Sequence, residues 1–235
     1  MDDSLAQYDE TTSTEAFTLQ NTKLLKVSLR DVTIQAKLGA MVAYQGDVRF
    51  EHAGQGGMSR MLKKAMTGEG QSLMKISGSG EVFLAETAQE IHVIMLENDK
   101  VTVNGANLLA FNAGIDWSIE RMQGVSGIMG GGLYNTALQG TGSVAILSDG
   151  PPVRLDVGSA PTFADPQAAI TWSSGVTTSI KTDVSMKSML RGGSGESVQM
   201  AFGGQGWVLV QPSEGRPVPA APGGAGGALG GLLKG

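Results

Sequence analysis

The sequence predicts an all-β protein built from three related β units in tandem. Three stretches carry this prediction, because each alternates polar and apolar residues, passes a Gly-x-Gly turn and ends in a short apolar strand. They begin at Gly70, Gly132 and Gly195, and the second glycines of their turns are Gly80, Gly142 and Gly206. The spacings are 142 − 80 = 62 and 206 − 142 = 64 residues. A repeat of this length is typical of one small β domain.

Composition supports the same class. The chain has 35 glycines in 235 residues, and frequent glycine suits tight turns between many short strands. Hydrophobic residues make up 41% of the chain, which is enough to bury a core. The predicted division is an acidic N-terminal arm (1–20), three β units (21–88, 89–150 and 151–212) and a disordered Gly/Pro/Ala-rich tail (213–235).

Short strands follow one another along the three predicted units. Period-two alternation begins at Leu25 and continues to Leu38, which indicates half-buried strands. Similar short apolar segments, bounded by Gly, Asn, Asp or Pro, lie at 91–95, 101–103, 117–119, 144–146 and 207–210.

Each predicted unit also opens with a hairpin that carries two aromatic residues. The first aromatics are Tyr44, Phe111 and Phe163, and the second are Phe50, Trp117 and Trp172. A turn of small and polar residues separates the two aromatics each time. Because the second aromatics recur at one place in the repeat, we expect all three to be core residues.

A methionine-rich connector lies between the two halves of each unit. In the first and third units it reads M-x-x-M-L followed by a basic residue. The candidate surface for a protein partner or a membrane is Met58, Met61, Leu62, Lys63, Met129, Met186, Met189 and Leu190. Methionine suits adaptable apolar contacts, and neighbouring lysine and arginine favour acidic partners. The alternative is that these side chains fill gaps between neighbouring units.

Several functional classes are disfavoured by what the chain lacks. The formal net charge of −5 argues against nucleic acid as the main partner. The chain has no cysteine and only two histidines, His52 and His92, so we expect no metal, no cofactor and no catalytic triad. No apolar run reaches the ~18–20 residues that span a bilayer, and no signal or transit peptide is visible. We therefore expect a cytoplasmic protein that is not an enzyme.

Four segments in this order resemble bacterial members of the AIM24 family. They are Leu38–Ala43, Gly46–Val48, Thr67–Gly70 and Gly78–Leu84. The resemblance covers about residues 16 to 211. It implies three TRAP-like β-sandwich units, similar to a double-stranded β-helix, with three chains closing into a ring. It implies no catalytic residues.

The expected function follows from these two sources together. We expect a non-catalytic, ring-forming scaffold, a homotrimer or another closed ring, that presents a repeated surface to a protein partner or a membrane. The location would then be cytoplasmic and peripheral to the membrane. The alternative is a protein that binds a small apolar ligand or a lipid in clefts between its β units.

Overall fold

The computed structural model describes residues 3–13, 15–52, 72–121, 134–182 and 198–214. Within these ranges the chain forms fifteen β-strands and two short 3₁₀ helices, Asp3–Tyr8 and Gly105–Asn107, and it forms no α-helix. The predicted all-β class is therefore confirmed. The strands are β1 (Phe17–Asn21), β2 (Leu24–Ser28), β3 (Ile34–Lys37), β4 (Met41–His52), β5 (Leu73–Leu84), β6 (Glu90–Asn104), β7 (Leu108–Asn112), β8 (Asp116–Arg121), β9 (Tyr134–Ser148), β10 (Val153–Val157), β11 (Thr162–Ala164), β12 (Ala169–Ser173), β13 (Val176–Thr182), β14 (Val198–Gly204) and β15 (Gly206–Val210).

Twelve of these strands form one large sheet. Its order is β1-β2-β5-β3-β7-β9-β6-β12-β15-β10, with β4 also paired to β5 and β8 to β9. A second sheet of three strands has the order β11-β14-β13. Every strand pairing is antiparallel, as the alternating pattern of half-buried strands leads one to expect.

In β5 and in β9 a glycine marks the point where the strand changes one of its partners, and a third glycine lies directly after the break between β14 and β15. Gly80 separates the half of β5 that pairs with β3 from the half that pairs with β2. Gly142 divides β9 in the same way, between pairing with β8 and pairing with β7. Gly206 begins β15, directly after a break at Gln205 that separates it from β14. These three residues are named the central glycines.

The predicted turns at Gly-x-Gly are wrong in the first two cases. Gly80 and Gly142 lie inside the continuous strands β5 and β9, and only at Gln205 is the third strand interrupted. All three central glycines have positive φ, from +142° to +155°. Gly80 allows a close backbone approach, since a Cβ there would overlap the carbonyl oxygen of Gln45 on β4, whereas a Cβ at Gly142 or Gly206 would meet the side chain of Asn112 or Ser173.

Three hydrophobic clusters form the core, and the first two each draw residues from more than one predicted unit. The first cluster lies around β2, β3 and β5 but includes Leu109 and Leu147. The second lies around β6, β7 and β9 but includes Leu73 and Ile170. The third lies around β12, β14 and β15, with Trp172 and Met200 at its centre. Neighbouring parts of the chain therefore share their cores.

One pair of aromatic rings in T-shaped contact occurs in each third of the chain. The pairs are Tyr44 with Phe50 at 5.3 Å between ring centroids, Phe111 with Trp117 at 6.4 Å, and Trp172 with Phe202 at 5.9 Å. Such edge-to-face contacts are favourable by about 0.5–1.5 kcal/mol beyond the area that they bury.

The expectation that all three second aromatics are core residues is corrected by their exposure. Trp172 is buried, Phe50 is half-buried, and Trp117 is 37% exposed. The physical reason is a difference in register. Trp172 pairs with Val208, two residues after a central glycine, which is the place that Phe111 takes opposite Val144. Trp172 is thus the counterpart of Tyr44 and Phe111, and its ring partner Phe202 lies on β14, in the second sheet.

Candidate functional site

The methionine-rich candidate surface lies outside the described residues. This holds for all eight of its members, namely Met58, Met61, Leu62, Lys63, Met129, Met186, Met189 and Leu190. Its role stays a prediction. The candidate site within the described residues consists of strand edges.

Two strand pairings join successive thirds of the chain. The pairing of β3 with β7 is named the first junction, and that of β6 with β12 the second. The first junction pairs Ile34 with Asn112, Gln35 with Phe111 and Ala36 with Ala110. The second pairs Val101 with Ser173, Thr102 with Trp172 and Val103 with Thr171. Both junctions are antiparallel and three residues long.

The two junctions have the same register when it is measured from the central glycines. Gln35 pairs with Lys75, which lies 80 − 75 = 5 residues before Gly80. Thr102 pairs with Ala137, and 142 − 137 is again 5. The residues opposite them at the junctions, Phe111 and Trp172, pair in turn with Val144 and Val208. These lie 144 − 142 = 2 and 208 − 206 = 2 residues after the next central glycine. One rule of pairing therefore operates twice in this chain.

The strands β4, β7 and β12 each contain a β-bulge at an equivalent residue. The register shifts between Met41 and Ala43, between Leu108 and Ala110, and between Ala169 and Thr171. The bulged residues are thus Val42, Leu109 and Ile170. Leu109 enters the first core cluster and Ile170 the second, so each is buried in the core of the preceding third. A bulge re-aims a side chain, and here it directs an apolar residue into a neighbour.

The two ends of this series are open. Among the described strands, β4 pairs only with β5, and β11 pairs only with β14. The N-terminal half of β4, which corresponds to β7 and β12, therefore has an unpaired edge. So does β11, which corresponds to β3. At these edges Val42 is 57% exposed, Tyr44 49% and Phe163 43%.

Exposure at the open end contrasts with burial at the two junctions. Leu109 and Ile170, the counterparts of Val42, are fully buried at 0%. Phe111 and Trp172, the counterparts of Tyr44, are 0% and 4% exposed. The same structural positions are therefore core positions wherever a preceding strand is present.

A polar cleft of about 490 Å³ lies at the second junction. Its lining is rich in hydroxyl and amide groups and includes Lys100, Thr102, Glu120, Asn135, Ser174, Thr178 and Ser179. The Lys100 ammonium and the Glu120 carboxylate are 3.8 Å apart. The cleft can therefore hold a small polar molecule or water, and it offers little apolar surface.

A buried polar cluster links β6 to the end of β9. The Ser148 hydroxyl donates to the Gly150 carbonyl at 2.7 Å, so the 2.8 Å contact with His92 Nε2 is made by the histidine as donor. Ser148 is fully buried, and its proton is directed away from the imidazole. This arrangement is the reverse of a serine activated by a histidine base.

We predict that His92 makes stability depend on pH. Burial lowers the pKa of His92 below its usual 6.5, and the nearby Glu90 carboxylate opposes this in part. Because the unfolded chain takes up the proton more readily, stability should be complete above about pH 6.5 and should decline as the pH falls through the lowered pKa. Urea unfolding of wild type and His92→Gln between pH 7.5 and pH 5 checks this. An equal pH slope in the two proteins would contradict it, and His52→Gln measures what the other histidine contributes.

The N-terminal segment is held on β2 by a buried lysine. Lys26 Nζ lies 3.3 Å from Glu10, 3.1 Å from Glu81 and 2.9 Å from the Thr11 carbonyl. The hydrogen bond with Glu10 and the Lys26 ammonium hold the pKa of Glu81 below its usual value. Part of the predicted acidic arm is therefore ordered, and β1 begins at Phe17 within it.

The described residues contain no group of three or more His, Cys, Asp or Glu side chains placed to hold a metal ion. No helix in the described part of the chain is long and apolar enough to cross a bilayer.

The open edges could not be located from the sequence. The aromatic pattern drew attention to Tyr44 and Phe163, but it treated both as hairpin residues of equivalent kind. In the structure they correspond to different strands, β7 for Tyr44 and β3 for Phe163. The bulge that exposes Val42 leaves no sequence signal of its own.

Comparisons with known proteins agree with the fold. A family model described as mitochondrial biogenesis AIM24 matches residues 17–213. A crystal structure of a Streptococcus pyogenes protein is similar to this chain with a TM-score of 0.67 and 20% sequence identity, covering 84% of this chain and 92% of that one. At this identity the likeness concerns the fold alone. No curated protein gives a significant match.

Proposed function

This chain belongs to the AIM24 family, and from that premise we propose that it is a non-catalytic scaffold whose copies assemble into a closed ring. The ring would present a repeated surface to a protein partner or a membrane. The protein would be cytoplasmic, and peripheral to the membrane in the second case. We propose no cofactor and no nucleic-acid partner.

One observation carries this proposal, namely that both ends of the strand series are unpaired among the strands that the structure describes, and that they expose apolar residues. The N-terminal half of β4 carries Val42 and Tyr44, and β11 carries Phe163. An open strand edge is a template for pairing with another chain, and proteins usually cover or charge such edges. Pairing between different edges of identical chains gives a ring where the rotation between copies closes and an open filament where it does not, and we propose that it closes here.

The proposal extends to the architecture of the units. The repeated long strand with its central glycine, the repeated bulge and the repeated junction register support three TRAP-like β-sandwich units per chain. Three chains would then contribute nine units to one ring. A homotrimer is therefore the assembly that we propose.

Light scattering during size-exclusion chromatography tests the ring. We expect a mass near three times 24.3 kDa, about 73 kDa, that is constant across micromolar concentrations. A constant mass of 24.3 kDa would contradict the proposal. A mass that rises steadily with concentration would indicate an open filament and would contradict closure.

The scaffold role is tested by what the ring retains. Affinity purification from the native host, followed by mass spectrometry of proteins and lipids, should recover a stoichiometric protein partner. Co-sedimentation with vesicles that contain anionic lipid distinguishes the membrane from a protein as the partner. Recovery of neither would contradict the scaffold role while leaving the ring intact.

The alternative function, binding of a small apolar ligand or a lipid between units, makes a different prediction. A ligand that binds only the folded state raises the melting temperature by mass action, whereas a scaffold is indifferent to small molecules. The cleft at the second junction is lined mainly by hydroxyl, amide and charged groups, and these favour a polar occupant over an apolar one. A fatty acid that raises the melting temperature in proportion to its concentration would favour the alternative.

A further inference from the structure

We infer that β4 of one copy pairs with the outer edge of β11 of the next copy, antiparallel and in one defined register. In this register Phe163 lies opposite Tyr44 of the second copy, Thr162 opposite Gln45, and Ala164 opposite Ala43. The inference rests on the proposed function, because it specifies the contact through which the ring would close. It identifies a second copy of this chain as the partner of both open edges.

The register follows from the rule that the two internal junctions share. In each of them, the residue that pairs with the position five before one central glycine lies opposite the residue that pairs with the position two after the next central glycine. Phe163 pairs with Ala201, and 206 − 201 = 5, so Phe163 corresponds to Gln35 and Thr102. Tyr44 pairs with Val82, and 82 − 80 = 2, so Tyr44 corresponds to Phe111 and Trp172. Continuing the rule from one chain into the next therefore places Phe163 opposite Tyr44.

The burial of equivalent residues supports this pairing independently of register. Val42 and Tyr44 are about half exposed, whereas their counterparts at both junctions are buried. The bulge that directs Leu109 and Ile170 into the preceding core is also present at Val42. In the assembled ring Val42 would enter the third core cluster of the neighbouring copy, and that cluster has half-buried members, such as Leu155 and Ala164, at its margin.

The facing side chains are also chemically compatible. Phe163 and Tyr44 form an aromatic cross-strand pair, a kind of pair that stabilises sheets. The Lys181 ammonium lies 4.8 Å from the centre of the Phe163 ring. At the proposed contact Lys181 corresponds to Glu120 of the second junction, and Glu51 corresponds to Ser179. The side chains of Glu120 and Ser179 both line the cleft at that junction. The ring would thus set a cation of one copy beside a carboxylate of the next.

Directed disulfides test the register, since the chain has no cysteine of its own. The variant Tyr44→Cys/Phe163→Cys, purified and mildly oxidised, should form covalent multimers that denaturing gels resolve as a ladder. Opposed Cβ atoms in a sheet are about 4.5–5.5 Å apart, close to what a disulfide spans. The pair Gln45→Cys/Thr162→Cys should behave alike and keeps both aromatic rings. Each single-cysteine variant should stay monomeric on the gel.

A register slipped by one residue provides the matched control. In Tyr44→Cys/Thr162→Cys the two side chains would point to opposite faces of the sheet, so cross-linking should be lost or reduced at least tenfold. Equal cross-linking of this variant would overturn the register. Cross-linking of Tyr44→Cys alone would overturn the head-to-tail arrangement, because it would show β4 pairing with itself.

A charge at the bulge tests the buried contact. Val42→Asp should convert the assembly to a folded monomer of 24.3 kDa, because the exposed position tolerates a carboxylate in the single chain but not inside a neighbouring core. Met95→Asp is the control, since Met95 is an equally exposed apolar residue on β6. We expect it to leave the mass unchanged, and dissociation by both variants to the same extent would count against the inference.

The outcomes separate the inference from the function on which it rests. A wild-type monomer would overturn both. A wild-type multimer that survives Val42→Asp and gives no disulfide with either cysteine pair would overturn the inference alone and leave the scaffold proposal in place. Circular dichroism of each variant establishes that loss of assembly is not loss of folding.

Discussion

Replacing Trp172 by alanine is expected to lower the free energy of unfolding by about 3–5 kcal/mol. Trp172 is 4% exposed, contacts the Phe202 ring and lies between β6 and β15. The substitution leaves a cavity that these strands cannot close without breaking their hydrogen bonds, and it also removes an aromatic contact. For a domain of this size the melting temperature should fall by about 6–20 °C.

Trp117→Ala is the matched control for this prediction. Trp117 is also a tryptophan in T-shaped contact with another ring, but it is 37% exposed and lies on β8, which pairs with β9 alone among the described strands. Its removal should cost under about 2 kcal/mol. The measurement is urea unfolding at one protein concentration, because assembly contributes to apparent stability. Equal losses of unfolding free energy in the two variants would show that the different burial of Trp172 and Trp117 in the single chain does not determine how much each contributes to stability.

Gly80→Ala should destabilise the protein by about 3 kcal/mol or more, or prevent folding. The φ of Gly80 is +155°, and an added Cβ would overlap the carbonyl oxygen of Gln45 and lie 3.1 Å from the Cα of Gly46. Both neighbours are backbone atoms of β4, which is hydrogen-bonded along its length to β5, so neither can move aside. A side chain at residue 80 would therefore push β4 and β5 apart at the middle of their pairing.

Gly114→Ala is the corresponding control. An added Cβ at Gly114 meets nothing within 4 Å, and its φ is not in the left-handed region. The change should be neutral or slightly stabilising, by up to about 1 kcal/mol, because alanine reduces the freedom of the unfolded chain. Soluble yield and melting temperature of the two variants are the measurements. A Gly80→Ala protein that is as stable as Gly114→Ala would show that the β4–β5 contact is looser than described.

Much of the fold could be predicted because periodicity and glycine spacing are local properties. Alternation from Leu25 onward predicted strands where β2 and β3 lie, and the repeated Gly-x-Gly pattern predicted strands on either side of the central glycines, although it predicted turns where β5 and β9 continue. What the glycines do there could not be read locally. The same Gly-x-Gly pattern bends a continuous strand at Gly80 and ends one at Gly204, and the difference lies in which strands pack on either side.

The aromatic pattern shows how a repeat can be recognised and still be aligned wrongly. Trp172 follows Phe163 as Phe50 follows Tyr44, so the sequence indicates equal roles for Phe50 and Trp172. Pairing partners assign Trp172 to the place of Tyr44 instead, because β11 in this part of the chain is a separate strand ahead of the hairpin. Register is a relation between two strands, and one strand alone does not contain it.

By itself the sequence determined the all-β class of the protein, the spacing of its central glycines and the absence of cysteine. These follow from residue type and spacing, which act along the chain. Only the tertiary structure decided that β4 and β11 each keep an unpaired edge among the described strands, that Val42 and Tyr44 are exposed where Leu109 and Phe111 are buried, and that one register recurs at both junctions. The physical reason is that hydrogen-bond partners and burial depend on which strands, distant in sequence, lie on either side of a residue. Equivalent residues therefore become core or surface according to whether a neighbouring strand is present.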